Sequence, residues 1–190
     1  GDVSGKGVPA SLFMAITRSL FRTLSQHVLS PAKIVTEMNN SISDNNESNM
    51  FVTLIVGILD LETGILKLCN AGHNPPILIY PDGQVSYLEF KTQIFVGVVE
   101  DFKYSDEEVV LEKESKLFLY TDGVTEAENI NKELYGEEKL LEMLSDNASS
   151  DVRTTVNVVV DSIASHVKEA EASDDLTILL IQYEPGTANS

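Results

Sequence analysis

MFVTLIVGILDLETGILKLCNAGHNPPILIYPDGQVSYLEF, residues 50–90, is the stretch from which the fold can be read. MFVTLIVGILD is apolar and β-branched, LETG is a turn, and ILKLCNAG is a second strand. PPILIY, the turn PDG and QVSYLEF then make a hairpin. The run predicts a meander of antiparallel strands. Upstream, Leu12, Ile16, Leu20, Leu24 and Val28 recur every four residues behind Pro9, with Phe13 and Phe21 beside them, which predicts a core-facing helix. Ser30 and Pro31 read as N-cap and first residue of a second helix lined by Ile34, Val35 and Met38. Downstream, EEVVLEK and SKLFLYTDG read as strands and YGEEKLLEMLS as a short helix. SDVRTTVNVVVDSIASHVKEA reads as a long helix with Val152, Val156, Val159, Ile163 and Val167 on one side, and LTILLIQYE closes the chain as a strand. Strands bracketed by helix pairs predict a layered α+β fold with helices on the outer faces of packed sheets.

With 190 residues, the chain is long enough for one domain to bury its own core. At 43 % hydrophobic and 23 % charged residues it has a globular composition, and no apolar run approaches the ~20 residues of a membrane span. Thirty acidic against thirteen basic residues give a net charge of −17, which speaks against nucleic acid and anionic membrane surfaces as partners. A single cysteine, Cys69, excludes an intrachain disulfide and reads as a reduced, buried cytoplasmic thiol. The start at Gly1-Asp2, with no initiator methionine or leader, reads as an entry partway into a longer protein. Residues 1–184 are expected to form the domain and 185–190 a disordered tail.

The opening GDVSGKGVPA invites comparison with a phosphate-binding loop, and the comparison fails. Such a loop needs four residues between its first glycine and Gly-Lys, then Ser or Thr, on a turn after a strand. Gly1 is one residue too close, Gly7 stands at the hydroxyl position, and no strand precedes it. Carboxylates say more. Asp2 precedes a glycine-rich turn, Asp122 with Gly123 ends KLFLYT, and Asp174-Asp175 precede LTILLI. A lone aspartate at a strand end is ordinarily a turn former. Three at one rim of neighbouring strands would be hard oxygen ligands suited to magnesium or manganese, and the chain has no cysteine and histidine set for zinc.

GDVSGKGVPASLFMA, FVTLIVGILDLETGILKLCNAGHNPPIL, LFLYTDGVTEAEN and SDDLTILLI resemble, in order, the motifs of the PPM-type metal-dependent protein serine/threonine phosphatases, in their bacterial SpoIIE/RsbU-like branch. The resemblance runs from Gly1 to about Tyr183. It implies an α-β-β-α sandwich of two antiparallel sheets with helices outside, and two Mn²⁺ or Mg²⁺ ions at one end. Carried over by motif, Asp2 bridges the metals, Val3 offers its backbone carbonyl, and Asp122 and Asp174 add carboxylates, with catalysis running through metal-bound water. Asp175 and Gly123 stand behind these ligands. In this branch the implied substrate is a phosphorylated STAS-domain anti-sigma-factor antagonist, in stress-response signalling, and a sensor module precedes the domain.

Two departures matter. Ser4 stands where the eukaryotic branch has histidine, and the family's upstream strands, which carry another metal-binding aspartate, lie before Gly1. The resemblance therefore implies an incomplete metal site and unpaired sheet edges that invite a homodimer. His73 is either a substrate contact or, as a residue before Asn74-Pro75-Pro76, a group that fixes the turn between two strands. Lys6 is either a phosphate contact or a solvated loop lysine, and Thr125 and Glu126 either order the Asp122 loop or, within TEAEN, are plain helix-entry or turn residues. The chain is thus expected to be a phosphoserine/phosphothreonine phosphatase, the alternative being a catalytically impaired binding module of the same fold.

Overall fold

The computed structural model describes residues 1–44, 46, 49–170 and 174–185. The elements in chain order are β1 (Asp2–Val3), α1 (Val8–Leu24), α2 (Pro31–Ser43), β2 (Val52–Leu59), β3 (Ile65–Ala71), β4 (Ile77–Ile79), β5 (Val85–Tyr87), β6 (Glu107–Val110), β7 (Lys116–Tyr120), α3 (Glu137–Asp146), α4 (Val152–Val167) and β8 (Ile178–Gln182). Two compact units share them. The first comprises Gly1–His73 and Phe90–Val110, the second Asn74–Glu89 and Leu111–Ser190. Among the described residues each holds one four-stranded antiparallel sheet and two helices, the strand orders being β1-β2-β3-β6 and β5-β4-β7-β8. This is the α+β inventory that the resemblance implies. Most of the expected tail, residues 186–190, lies outside the described residues, as do residues 45, 47 and 48 of the polar stretch after α2 and Ser173 before Asp174. Among the described residues no helix is long and apolar enough to cross a membrane.

In the first unit the period-2 pattern of β2 turns Val52, Leu54 and Val56 inward, where they meet Ile34, Val35, Met38 and Ile42 of α2. Cys69 is fully buried in the same core, and burial pushes its thiol up to about 12. α2 begins where the sequence places it. Ser30 is the N-cap and accepts from the Lys33 amide at 3.2 Å. The Asp106 carboxylate completes that cap by accepting from the Ser30 hydroxyl at 2.8 Å and from the Ala32 amide. In the second unit Ile77, Ile79, Phe118, Tyr120 and Leu180 of the sheet pack on Leu140 and Leu144 of α3 and Val159 and Ile163 of α4. Val152, Val156 and Val167 pack around the edge of that core, as the spacing predicts.

Two expectations are corrected. The strands of residues 50–90 do not form one meander: β3 pairs onward with β6, and β4 with β7, so the chain changes sheet between Ala71 and Ile77. The break is local. Gly72 adopts φ +75°, where a Cβ would come within 2.0 Å of the Phe95 ring, and Pro75 and Pro76 have no amide to continue a ladder. Nor does α1 face the core along its whole apolar row. Leu12 and Ile16 are 61 % and 55 % exposed, while Thr17 is buried and Phe13, Met14, Leu20 and Leu24 pack on the core. A strict four-residue spacing advances about 40° per step on a helix of 3.6 residues per turn, so such a row winds from one face to the other.

Candidate functional site

Within the second unit, the ends of β7 and β8 bring two aspartate-bearing loops side by side. The ladder between these strands closes with Tyr120 opposite Ile178, and one step further the Thr121 amide donates to the Thr177 carbonyl at 3.1 Å. The Thr121 side chain is buried and joins the loops a second time. Its hydroxyl donates to the Asp175 carbonyl at 3.3 Å and accepts from the Thr177 amide at 3.2 Å. Gly123 completes the contact by lacking a side chain. A Cβ there would stand 2.3 Å from the Asp175 carbonyl oxygen.

Asp122, half-buried, therefore sits between two residues that grip the Asp174-Asp175 segment. Its own loop is a tight turn. The Asp122 carboxylate accepts from the Gly123 amide at 2.9 Å, and its carbonyl accepts from the Glu126 amide at 2.7 Å and the Thr125 hydroxyl at 3.3 Å. Thr125 and Glu126 thus order this loop, and TEAEN forms no helix. Asp174 is exposed and caps the next amide, accepting from Asp175 N at 2.8 Å.

In the first unit, Asp2 and Val3 pair with Thr53 and Val52. Ser4 anchors the turn that follows: its amide donates to the Phe51 carbonyl and its hydroxyl accepts from the Phe51 amide, both at 2.9 Å. Gly5 and Gly7 hold φ of +81° and +80°, and Lys6 between them is exposed. Thr53 connects Asp2 to His73. Its hydroxyl lies 3.4 Å from the Asp2 carbonyl, to which it can donate, and 2.9 Å from His73 Nδ1. His73 is buried and fixed by Asn70, whose side chain accepts from the His73 amide at 2.8 Å and donates to its carbonyl at 3.0 Å. Burial lowers its pKa to about 4. At neutral pH the ring is uncharged.

The donors that could hold a metal are Asp2 with the Val3 carbonyl in the first unit, and Asp122 with Asp174 in the second. Among the described residues no group of three or more His, Cys, Asp or Glu side chains is gathered to hold a metal ion. A small hard cation keeps several waters and takes one or two carboxylates besides its substrate's oxygens. The clamped Asp122 and Asp174 loops supply donors of that kind. Thr53 and Thr121 are absent from the reading of the sequence, because a threonine in a strand is the ordinary β-branched choice and its partner is 20 or 56 residues away.

The chain matches the model of the Stage II sporulation protein E (SpoIIE) family over residues 1–184. It is 26 % identical over 208 residues to protein IcfG of Synechocystis sp., covering 95 % of this chain and 32 % of that protein. To the phosphoserine phosphatase RsbU of Bacillus subtilis it is 25 % identical over 182 residues, covering 95 % of this chain and 53 % of that protein. The chain thus spans between a third and about half of these relatives. Among solved structures, the SiaA PP2C domain of Pseudomonas aeruginosa superposes with a TM-score of 0.81 at 23 % identity, over 96 % of this chain and 73 % of that one. The catalytic domain of the serine/threonine protein phosphatase PstP, solved with two manganese ions, gives 0.67 at 13 % identity over 94 % and 83 %. The fold is therefore that of PP2C-type phosphatase domains.

Proposed function

The chain belongs to the SpoIIE family, and on that premise we propose that it hydrolyses phosphoserine or phosphothreonine on a regulatory protein with the help of divalent metal ions. The observation that carries the reading is the paired loop of the second unit, where Thr121 and Gly123 hold the Asp174-Asp175 segment against Asp122. Asp2, the Val3 carbonyl, Asp122 and Asp174 serve as ligands of Mg²⁺ or Mn²⁺. Bound there, such ions would supply the positive charge and Lewis acidity that attack of water on a phosphate monoester requires. The protein's part is to present hard oxygens at fixed positions. Ser4, at the histidine position of the eukaryotic branch, holds the Asp2 turn. By analogy with RsbU, a phosphoserine phosphatase, the substrate is a phosphorylated anti-sigma-factor antagonist of the STAS type. A sensor module and the cytoplasm are the corresponding context.

A second reading, a phosphatase-like binding module without turnover, is favoured by the lack of a gathered three-ligand group among the described residues. One experiment separates the two. Turnover of p-nitrophenyl phosphate and of a phosphoserine protein is measured with Mn²⁺ and with chelator, for the wild-type chain and for Asp122→Asn. The phosphatase reading expects chelator-sensitive activity that the Asn variant lowers by orders of magnitude at nearly unchanged volume. Equal rates with and without chelator, or an Asn variant at full activity, would overturn it.

A further inference from the structure

We infer that Thr121 is a positioning residue, whose hydroxyl, together with the missing side chain of Gly123, sets the spacing of the Asp122 and Asp174 carboxylates for a divalent cation. The inference rests on the reading of those two aspartates as metal ligands, and it concerns what holds them in place.

The loops after β7 and before β8 begin as a ladder and then leave it. Beyond the Thr121–Thr177 backbone bond no strand pairing remains to fix their separation, yet the residues that matter come next: Asp122 on one side, Asp174 and Asp175 on the other. Thr121 extends the ladder with a side chain. Its one hydroxyl accepts from the Thr177 amide and donates to the Asp175 carbonyl, so one buried side chain holds both a donor and an acceptor of the exposed opposite loop. Thr121 itself is 7 % exposed, so its hydroxyl is committed to these two bonds rather than to solvent. Gly123 then sets how closely the loops approach, because a Cβ at 2.3 Å from the Asp175 carbonyl oxygen would drive backbone from backbone. Asp122 lies between the bond and the contact, and Asp174 is the neighbour of the residue gripped by both. A shift at Asp175 is thus transmitted directly to the two carboxylates. A hydroxyl supporting only the fold would affect stability; one that also places ligands would affect metal affinity beyond any loss of stability. Partners behind a metal's ligands typically contribute 10–100-fold to its affinity.

Three variants test this: Thr121→Val, which keeps the shape and removes the hydroxyl; Thr121→Ser, which keeps the hydroxyl; and Gly123→Ala, which keeps the hydroxyl and pushes on Asp175. Mn²⁺ affinity is measured by titration calorimetry and by electron paramagnetic resonance, alongside the melting temperature of the metal-free protein, with Asp122→Asn as reference. Thr121→Val and Gly123→Ala are expected to weaken Mn²⁺ binding 10–100-fold while remaining folded. Thr121→Ser should restore affinity to within a few-fold, and excess Mn²⁺ should restore turnover in Thr121→Val. Wild-type affinity in both folded variants overturns the positioning role while leaving the metal reading intact, provided that Asp122→Asn loses the ion. Absence of Mn²⁺ binding in the wild-type chain overturns both. Should neither variant fold, amide exchange at residues 174–177 of the wild-type chain decides, since Mn²⁺ must slow it if these residues are held for the ion, and unchanged exchange overturns the proposal.

Discussion

His73 uses its main chain and its ring for different tasks. Its amide and carbonyl bind the Asn70 side chain, which closes the turn where the chain changes sheet, and its ring meets Thr53. The first task was legible in the sequence, since a histidine ahead of Asn-Pro-Pro sits where a turn must form. The second was not, because Thr53 is 20 residues earlier on another strand. Burial makes the ring a pH sensor of stability. Its pKa falls from 6.5 to about 4 on folding, so the unfolded chain binds the extra proton first as pH drops. His73's contribution is therefore complete above about pH 6.5 and is lost as pH falls towards 4. Denaturant midpoints measured between pH 7 and pH 5 should decline in the wild type and decline less in His73→Asn. Parallel profiles would remove His73 as the cause.

At the scale of elements, composition and period identified the helices and nearly all the strands of the described residues, and failed where neighbours decide. The four-residue row of α1 reads as one face only if its rotation is ignored; its N-terminal members point outward and its C-terminal members inward. For α2, the Ser30 cap could be read from Ser-Pro, whereas the Asp106 carboxylate that doubles it arrives from 76 residues away. β1, two residues long, is too short to leave any period at all. The α1 correction has a direct measure. Leu12→Ser, on the exposed side, should change unfolding free energy by no more than about 0.5 kcal/mol. Met38→Ala, in the α2 core at 1 % exposure, should cost about 2–5 kcal/mol. Similar losses at the two positions would restore a core-facing Leu12.

For the whole molecule, charge is the feature that composition conveys best and the fold alters least. With a net charge of −17, the protein repels any partner whose contact surface is itself acidic, and a phosphoprotein already brings a dianion. On the phosphatase reading, the expected substrate surrounds its phosphoresidue with neutral or basic surface. Its association rate should fall as ionic strength rises through the range where the screening length drops from about 10 Å at 0.1 M to about 3 Å at 1 M. Stopped-flow rates across that range test this, and rates indifferent to salt would count against it. The site shows the same division between what composition reveals and what contact decides. Its aspartates were visible because Asp-Gly and Asp-Asp stand at the ends of apolar runs, while the grip of Thr121 and Gly123 depends on two loops meeting across 56 residues of chain.

Cys69, the only sulfhydryl in the sequence, is out of reach of solvent and protonated across the physiological range. The native protein is thereby a silent background for maleimide chemistry. A cysteine introduced at Leu29, which is 84 % exposed, and another at Ile130, at 69 %, would carry fluorophores or spin labels on one unit each without removal of the native thiol, so that the distance between the two labels could be measured with and without Mn²⁺.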